Sequence, residues 1–233
     1  MTKIDMKKED RCFYSGRKGR FDIVTVPEMN FLQIDGKGDP DASKAFSSAV
    51  AALFALSYNI KFHSKLELQR DYAVMPLEAL WWAEDEAVFQ RREKDEWLWT
   101  AMIRQPDWIE LALLDSVLEA TVAKINRKRE AATDEGTLRR VRLARWSEGE
   151  CVQTLHLGSF DSEGPVLEEM HGSFIPKARA SMRGKHHEIY LSDLRRTPSD
   201  RLRTILRQPV ELSQGGISAQ RECDQVDVNE ELA

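Results

Sequence analysis

A short motif that occurs twice constrains the fold of this chain more than any other feature. The stretch MIRQPDWIEL at residues 102–111 returns as ILRQPVEL at residues 205–212, with Arg-Gln-Pro after two apolar residues in both copies. Each copy is preceded by an apolar segment that ends in glycine and an acidic turn, FLQIDGKGDPD from Phe31 and VQTLHLGSFDSEG from Val152. Because these landmarks recur in the same order, we interpret the chain as an internal duplication.

The duplication predicts an α+β fold built from two tandem modules. After its first strand, each half contains a helix-like stretch and then a β-rich segment with one internal glutamate, Glu78 in the first half and Glu188 in the second. Each module is therefore predicted to be a strand, a helix and two further strands. We place the modules at about residues 15–106 and 147–212, with antiparallel sheets related by a pseudo-two-fold axis and the two glutamates in equivalent strands.

A helix is predicted between the two modules, over residues 107–131. Apolar residues recur there at three- and four-residue spacing, which is typical of a helix with one buried face. Asp107 and Glu110 suit its N-terminus as the cap and its capping partner.

Composition and charge narrow the function classes. The chain has 34 basic and 39 acidic residues, a net charge of −5, so a general affinity for nucleic acid is not expected. The N-terminus MTKIDMKKEDR lacks the apolar core of a signal peptide, and no run approaches the length of a membrane span. We expect a soluble cytoplasmic protein without a membrane partner.

Residues 213–233 show no strong hydrophobic periodicity. We therefore predict that they form a mobile acidic tail.

The tryptophans are concentrated in one part of the chain. Five of the six lie between positions 81 and 108, namely Trp81, Trp82, Trp97, Trp99 and Trp108. Alternate residues of a strand share a face, so Trp81 and Trp82 point in opposite directions while Trp97 and Trp99 point the same way. The residues alone leave two interpretations open, a core between sheet and helix and an aromatic cleft for a flat or cationic ligand.

The segment KHHEIYLSD carries the most concentrated polar chemistry. In an extended strand, His186, Glu188 and Tyr190 share one face, and His187 and Ile189 share the other. Adjacent histidines on opposite faces cannot both reach one metal ion, so no metal site is expected. A glutamate beside a histidine and a tyrosine fits acid–base chemistry or recognition of a cation, and an exposed strand face is the simpler alternative.

Five motifs together resemble the GyrI-like small-molecule-binding superfamily, and most closely its free-standing members. They are PLEALWW, WTAMIRQPDWI, CVQTLHLGSFDSE, HHEIYLSD and RLRTILRQPVE. The resemblance implies two tandem SHS2-type modules with a ligand cleft between them. It extends over roughly residues 15–212 and agrees with the duplication inferred from the repeats.

Two functions are implied by this resemblance. Some relatives are hydrolases that open the cyclopropane ring of DNA-alkylating cyclopropanoid natural products and so protect the cell. Others only bind bulky cationic or planar molecules, as effector domains of regulators or as gyrase-inhibitory proteins. The implied ligand is a planar or cationic small molecule, with no cofactor and no direct nucleic-acid contact.

The resemblance also implies roles for particular residues. Glu188 corresponds to the strand glutamate of the family and is predicted to be the general base, with Tyr190 as the second catalytic residue. Trp81, Trp82 and Tyr190 correspond to the aromatic wall. The predicted ligand-binding set is Trp81, Trp82, Trp99, Glu78 and His186.

Overall fold

The protein is an α+β protein with antiparallel sheets and several helices, as the sequence predicts. This computed structural model describes residues 2–85, 88, 91, 93–127, 131–193 and 196–213. The predicted acidic tail, apart from Ser213, lies outside the described residues.

Two compact units are formed from discontinuous segments. The first contains the chain up to Met6, Glu28–Ser147 and Lys185–Tyr190. The second contains Lys7–Pro27, Glu148–Gly184 and the chain from Leu191 onward. These spatial groupings differ in extent from the predicted modules, whose boundaries and intervening cleft stay a prediction.

The first unit contains a run of four neighbouring antiparallel strands. They are β1 (Asp22–Lys37), β2 (Leu77–Trp82), β3 (Leu98–Gln105) and β6 (His186–Tyr190). Their order is β1–β3–β2–β6, and β4 (Arg142–Leu157) lies beside the first of them, β1. The first residues of β1, up to Pro27, belong to the second unit. In β2, LEALWW, the first five residues are buried, so both faces of this central strand are covered.

Helix α3 (Lys44–Glu67) has an apolar face that is partly buried in the first unit. The side chain of Ser43 accepts a hydrogen bond from the backbone N–H of Ala45 and caps the N-terminus. Residues buried at helical spacing include Phe46, Leu53 and Ile60. The helix is long and apolar enough to cross a membrane, which is weak evidence on its own because core helices pass the same test. Its buried face is what a core helix requires.

The helix in the linking region begins later than predicted. It is α4 (Leu111–Asn126), with Glu110 at its N-cap position and no side-chain capping hydrogen bond. The backbone N–H of Ile109 donates to the carbonyl of Pro106 at 3.0 Å, closing a turn. Asn30 Nδ2 donates to the carbonyl of Ile109 at 2.9 Å. Asp107 therefore lies in a turn and does not cap the helix, which corrects the predicted capping pair.

A smaller sheet forms part of the second unit. Strand β7 (Arg203–Leu212) pairs with both β4 (Arg142–Leu157) and β5 (Ala180–Met182), and β4 belongs to this unit from Glu148 onward. Between β4 and β5 the chain forms α6 (Gly164–Glu169), a π-helical turn (Met170–Phe174) and α7 (Ile175–Lys177). Met170, Ile175 and Ala178 join a core with Ile23, Val152, Leu206 and Val210.

Short helical elements complete the described chain. They are α1 (Met6–Glu9), α2 (Arg11–Tyr14), α5 (Glu135–Arg139) and the 3₁₀ turns Lys94–Glu96, Phe160–Ser162 and Ser199–Arg201. Asp134 caps α5, because its side chain accepts a hydrogen bond from the backbone N–H of Thr137.

The repeated motif occupies equivalent positions in the two halves. In the first half the motif lies in β3, which pairs with β1, and in the second half it lies in β7, which pairs with β4. Arg104 lies opposite Phe31, and Arg207 lies opposite Gln153. Phe31 and Gln153 each precede the glycine at the end of their apolar segment, Gly36 and Gly158, by five positions. This shared register supports an internal duplication.

Candidate functional site

The pairing register of the first unit decides which side chains share a face of its sheet. On β6, His186, Glu188 and Tyr190 point to one face because side chains alternate along a strand. Trp81 lies opposite His186, and Trp99 lies opposite Trp81. These five residues define what we call the glutamate face.

Glu188 is held on this face by a chain of hydrogen bonds. Trp81 Nε1 donates to Tyr190 Oη at 3.2 Å, and Tyr190 Oη donates to Glu188 Oε2 at 2.7 Å. The other carboxylate oxygen, Oε1, lies 3.7 Å from His186 Nε2, and the side chains of Glu188 and His186 are 14% and 16% exposed. Tyr190 is 6% exposed. The row is therefore largely buried and is not an exposed strand face.

The surroundings of Glu188 change its affinity for a proton. Burial disfavours the charged carboxylate and raises the pKa of Glu188 to about 7. The hydrogen bond from Tyr190, the positive charge of His187 and the hydrogen bond from Trp81 act in the opposite direction and lower this pKa. Such a carboxylate exchanges its proton near neutral pH, which suits a general acid or base.

Aromatic rings surround the hydrogen-bonded chain. The Phe46 ring of α3 lies 5.5 Å from the Trp81 ring and 5.0 Å, edge on, from the Trp99 ring. Trp97 packs edge on against Trp81 at 5.9 Å. Trp99 fills the space that a Cβ at Gly36 would need, 2.2 Å from its ring atoms, so only glycine fits there. Trp81 and Trp99 are both buried in this arrangement.

Two predicted ligand-binding residues lie on the opposite side of the sheet, which we call the rear face. Glu78 lies opposite Ile189 and points to the same side as His187. Trp82 also points there, and Lys185 Nζ lies 3.1 Å from the centroid of its ring. The structure therefore brings Trp81, Trp99 and His186 together with Glu188 and Tyr190, but not Glu78 or Trp82.

Sequence reasoning missed three residues around this strand. Phe46 packs on the glutamate face, and His187 with Trp146 packs on the rear face, where the two rings are 5.7 Å apart. Phe46 and Trp146 are far from β6 in sequence, so no local pattern could have assigned them. Among the described residues, no group of three or more His, Cys, Asp or Glu side chains is placed to hold a metal ion.

Comparison with known proteins identifies the class to which this fold and site belong. The model of the GyrI-like small molecule binding domain matches residues 20–211. The chain therefore belongs to the GyrI-like family of small-molecule-binding domains.

Solved structures of similar sequence come from Listeria innocua. The chain is 39% identical to an uncharacterized conserved protein, with a TM-score of 0.79, over 90% of this chain and 100% of that one. It is 38% and 37% identical to two structures described as hydrolases, with TM-scores of 0.76 and 0.74, over 90% of this chain and 100% of each of those. A search of curated proteins gives no match.

Proposed function

We propose that this protein is a cofactor-independent hydrolase that opens the cyclopropane ring of cyclopropanoid DNA-alkylating natural products. Its role would be detoxification or self-resistance in the cytoplasm. The observation that carries the proposal is the buried Glu188, hydrogen-bonded by Tyr190 and with a pKa near neutrality. Similarity to proteins described as hydrolases supports the reaction type.

In the proposed reaction Glu188 acts as general base on a water molecule. Tyr190 holds Oε2, so Oε1 is the oxygen that takes the water proton. The water oxygen forms a bond to a ring carbon as the strained carbon–carbon bond breaks. The electron pair of that bond moves into the conjugated dienone, whose carbonyl becomes a phenolate. The proton held by Glu188 then returns to the phenolate oxygen, and the net change is the addition of one water.

His186 is the residue we assign to the substrate carbonyl. The Tyr190 hydroxyl already donates to Glu188, so it positions the base. His186 shares the glutamate face and is 16% exposed, so its ring can donate to an oxygen that gains negative charge in the transition state.

The test is incubation of the purified protein with a cyclopropanoid, followed by mass spectrometry in ordinary and ¹⁸O-labelled water. We expect a product heavier by one water that carries the label, with little product from Glu188→Gln. No adduct above the background without protein would refute the proposal. An adduct formed equally by Glu188→Gln would remove Glu188 from the mechanism.

Binding without turnover is the second candidate function. A carboxylate beside the Trp81 ring suits a cationic planar ligand, because ring faces and the carboxylate both attract positive charge. In that case Glu188→Gln weakens cationic ligands selectively, leaves neutral planar ligands unaffected, and no water adduct forms with any cyclopropanoid.

A further inference from the structure

A second pair of titratable groups lies behind Glu188, and the proposed hydrolysis does not use it. On the rear face, His187 Nε2 is 3.0 Å from Glu78 Oε2, and these side chains are 0% and 1% exposed. The Trp146 ring packs edge on against His187 at 5.7 Å. A carboxylate buried this deeply is stable as an ion only beside a positive group, so the geometry favours a charged pair.

Glu78 and His187 lie on either side of the cross-strand residue pair that contains Glu188. Ala79 is opposite Glu188, and the flanking rungs are Leu80 with His187 and Glu78 with Ile189. Glu78 and His187 thus meet diagonally, on the other side of the sheet from Glu188. A slip of β6 by one residue would turn Glu188 to the rear face and separate the pair.

The pair also places a charge near the catalytic carboxylate. His187 is the next residue to Glu188 in the chain, and its positive charge favours the ionised form of Glu188. The other charged side chains on the rear face come from β1, β3, β4 and the residue before β6: Asp35, Lys37, Arg104, Arg142 and Lys185. Lys37 is paired with Glu96, with Nζ 2.6 Å from Oε2. The Asp35 carboxylate accepts hydrogen bonds from Arg142 and Thr100, so its charge is compensated locally.

We propose that Glu78 and His187 are positioning residues for Glu188, which pin the register of its strand and keep a positive charge behind its carboxylate. The consequence for turnover rests on the proposed hydrolysis. The effect on Glu188 itself does not, and it can be measured without a substrate.

The test is His187→Gln, in which the amide nitrogen replaces Nε2 without a charge. Protein labelled with ¹³C at the glutamate carboxyl is titrated by infrared or NMR spectroscopy, and Glu188 is assigned by difference with Glu188→Gln. We expect the titration midpoint of Glu188 to rise by about 0.5–1 pH unit, less than for directly contacting charges. The cause of this rise is the loss of the imidazolium charge, which favours the ionised form of Glu188 in the wild type.

Asp35→Asn is the matched control, since it removes a charge from the same face and leaves the pair intact. Its Glu188 midpoint should remain that of the wild type. An unchanged midpoint in folded His187→Gln, or a shift of equal size in Asp35→Asn, would overturn the proposal.

The wild-type protein provides a second measurement in case His187→Gln does not fold. ¹⁵N NMR of the His187 ring should show an imidazolium throughout the pH range in which Glu188 titrates. A neutral ring in that range refutes the proposal in any case. Failure of the proposed hydrolysis is recognised separately, by the absence of a water adduct while the Glu188 midpoint still responds to His187→Gln.

Discussion

Glu188 in the first compact unit and Glu148 in the second are both largely buried carboxylates, and their surroundings are opposite. In the second unit, Glu148 Oε2 is 2.7 Å from Arg207 Nη1, and these side chains are 1% and 3% exposed. Arg207 also donates to Gln153 Oε1 at 3.0 Å. In the first unit, the hydrogen bonds to Glu188 come from a phenol and an indole.

The difference separates a structural carboxylate from one able to do chemistry. An arginine in direct contact stabilises a charged carboxylate, so the contact of Glu148 with Arg207 has a structural role. Neutral donors only partly offset the cost of burying Glu188, whose pKa is therefore raised to about 7. Burial alone does not distinguish a structural carboxylate from one suited to proton transfer. The charge of the hydrogen-bonding partner makes the distinction.

The largest expected effect is on turnover in Glu188→Gln. The amide keeps the shape and the hydrogen bond to Tyr190 but cannot accept the proton of water. We expect kcat for a cyclopropanoid to fall by about 10²–10⁴-fold, the usual contribution of a positioned base. Initial rates from liquid chromatography with mass detection measure it. Glu148→Gln, corrected for its folded fraction, should keep wild-type turnover, and equal losses in both variants would remove the distinction between the two carboxylates.

The next effect is on stability in Glu148→Gln. Removing one partner leaves the Arg207 guanidinium buried without its counter-charge, which costs about 3–5 kcal/mol in the free energy of unfolding. Urea unfolding at pH 8 followed by circular dichroism measures the loss. Glu188→Gln, under the same conditions, should be no less stable than the wild type. A wild-type midpoint for Glu148→Gln would show that the pair contributes little.

The dependence on pH should be opposite for stability and for turnover. The pKa of Glu188 is about 7 in the folded protein and near 4.5 when the chain is unfolded, so between these values the folded state binds the extra proton. The contribution of this group to stability therefore falls as pH rises from 4.5 to 7, by up to about 3 kcal/mol.

If Glu188 is the general base as proposed, hydrolysis should instead increase across pH 7, because only the ionised carboxylate can accept the proton of water. Urea unfolding from pH 5 to 8 should show that Glu188→Gln lacks this part of the wild-type slope. A wild-type rate that stays flat across pH 7 would contradict a base with this pKa.

The smallest effect compares adjacent tryptophans on the two faces. Trp81→Phe keeps a ring but loses the indole N–H that donates to Tyr190, which is worth about 0.5–1.5 kcal/mol, or roughly 2–10-fold in kcat. Trp82 lies on the rear face, so Trp82→Phe should leave kcat and the affinity for a neutral planar ligand unchanged. Measured kcat values of the two variants test this comparison. A greater loss of kcat in Trp82→Phe than in Trp81→Phe would show that Trp82, and not Trp81, lies on the face of Glu188.

Much of the candidate site follows from period-two alternation in one strand. The grouping of His186, Glu188 and Tyr190 needs only the knowledge that HHEIY is extended, and the opposite orientations of Trp81 and Trp82 follow in the same way. Alternation does not tell which of the two tryptophans joins Glu188. The pairing of β2 with β6 sets this, since Trp81 lies opposite His186. The same register sends Glu78 to the rear face.

A contact between residues far apart in sequence also explains where the linking helix, α4, begins. Asp107 and Glu110 have the spacing of a capping pair, and local preference favours a helix start there. The side chain of Asn30, a residue of β1, donates a hydrogen bond to the carbonyl of Ile109, and the helix begins only at Leu111. A cap predicted from local sequence fails when a side chain distant in sequence forms a hydrogen bond with the same stretch of backbone.

By itself, the sequence determined the α+β class, the repeated order of landmarks, the resemblance to the GyrI-like family and the polar row on β6. These are properties of local pattern and of motif order, which a chain carries before it folds. Only the tertiary structure decided that Glu188 is largely buried, that its hydrogen bonds come from neutral donors, and that His187 and Glu78 form a pair behind it. A pKa depends on solvent exclusion and on charges within a few ångströms, and both come from strands that are far apart in sequence.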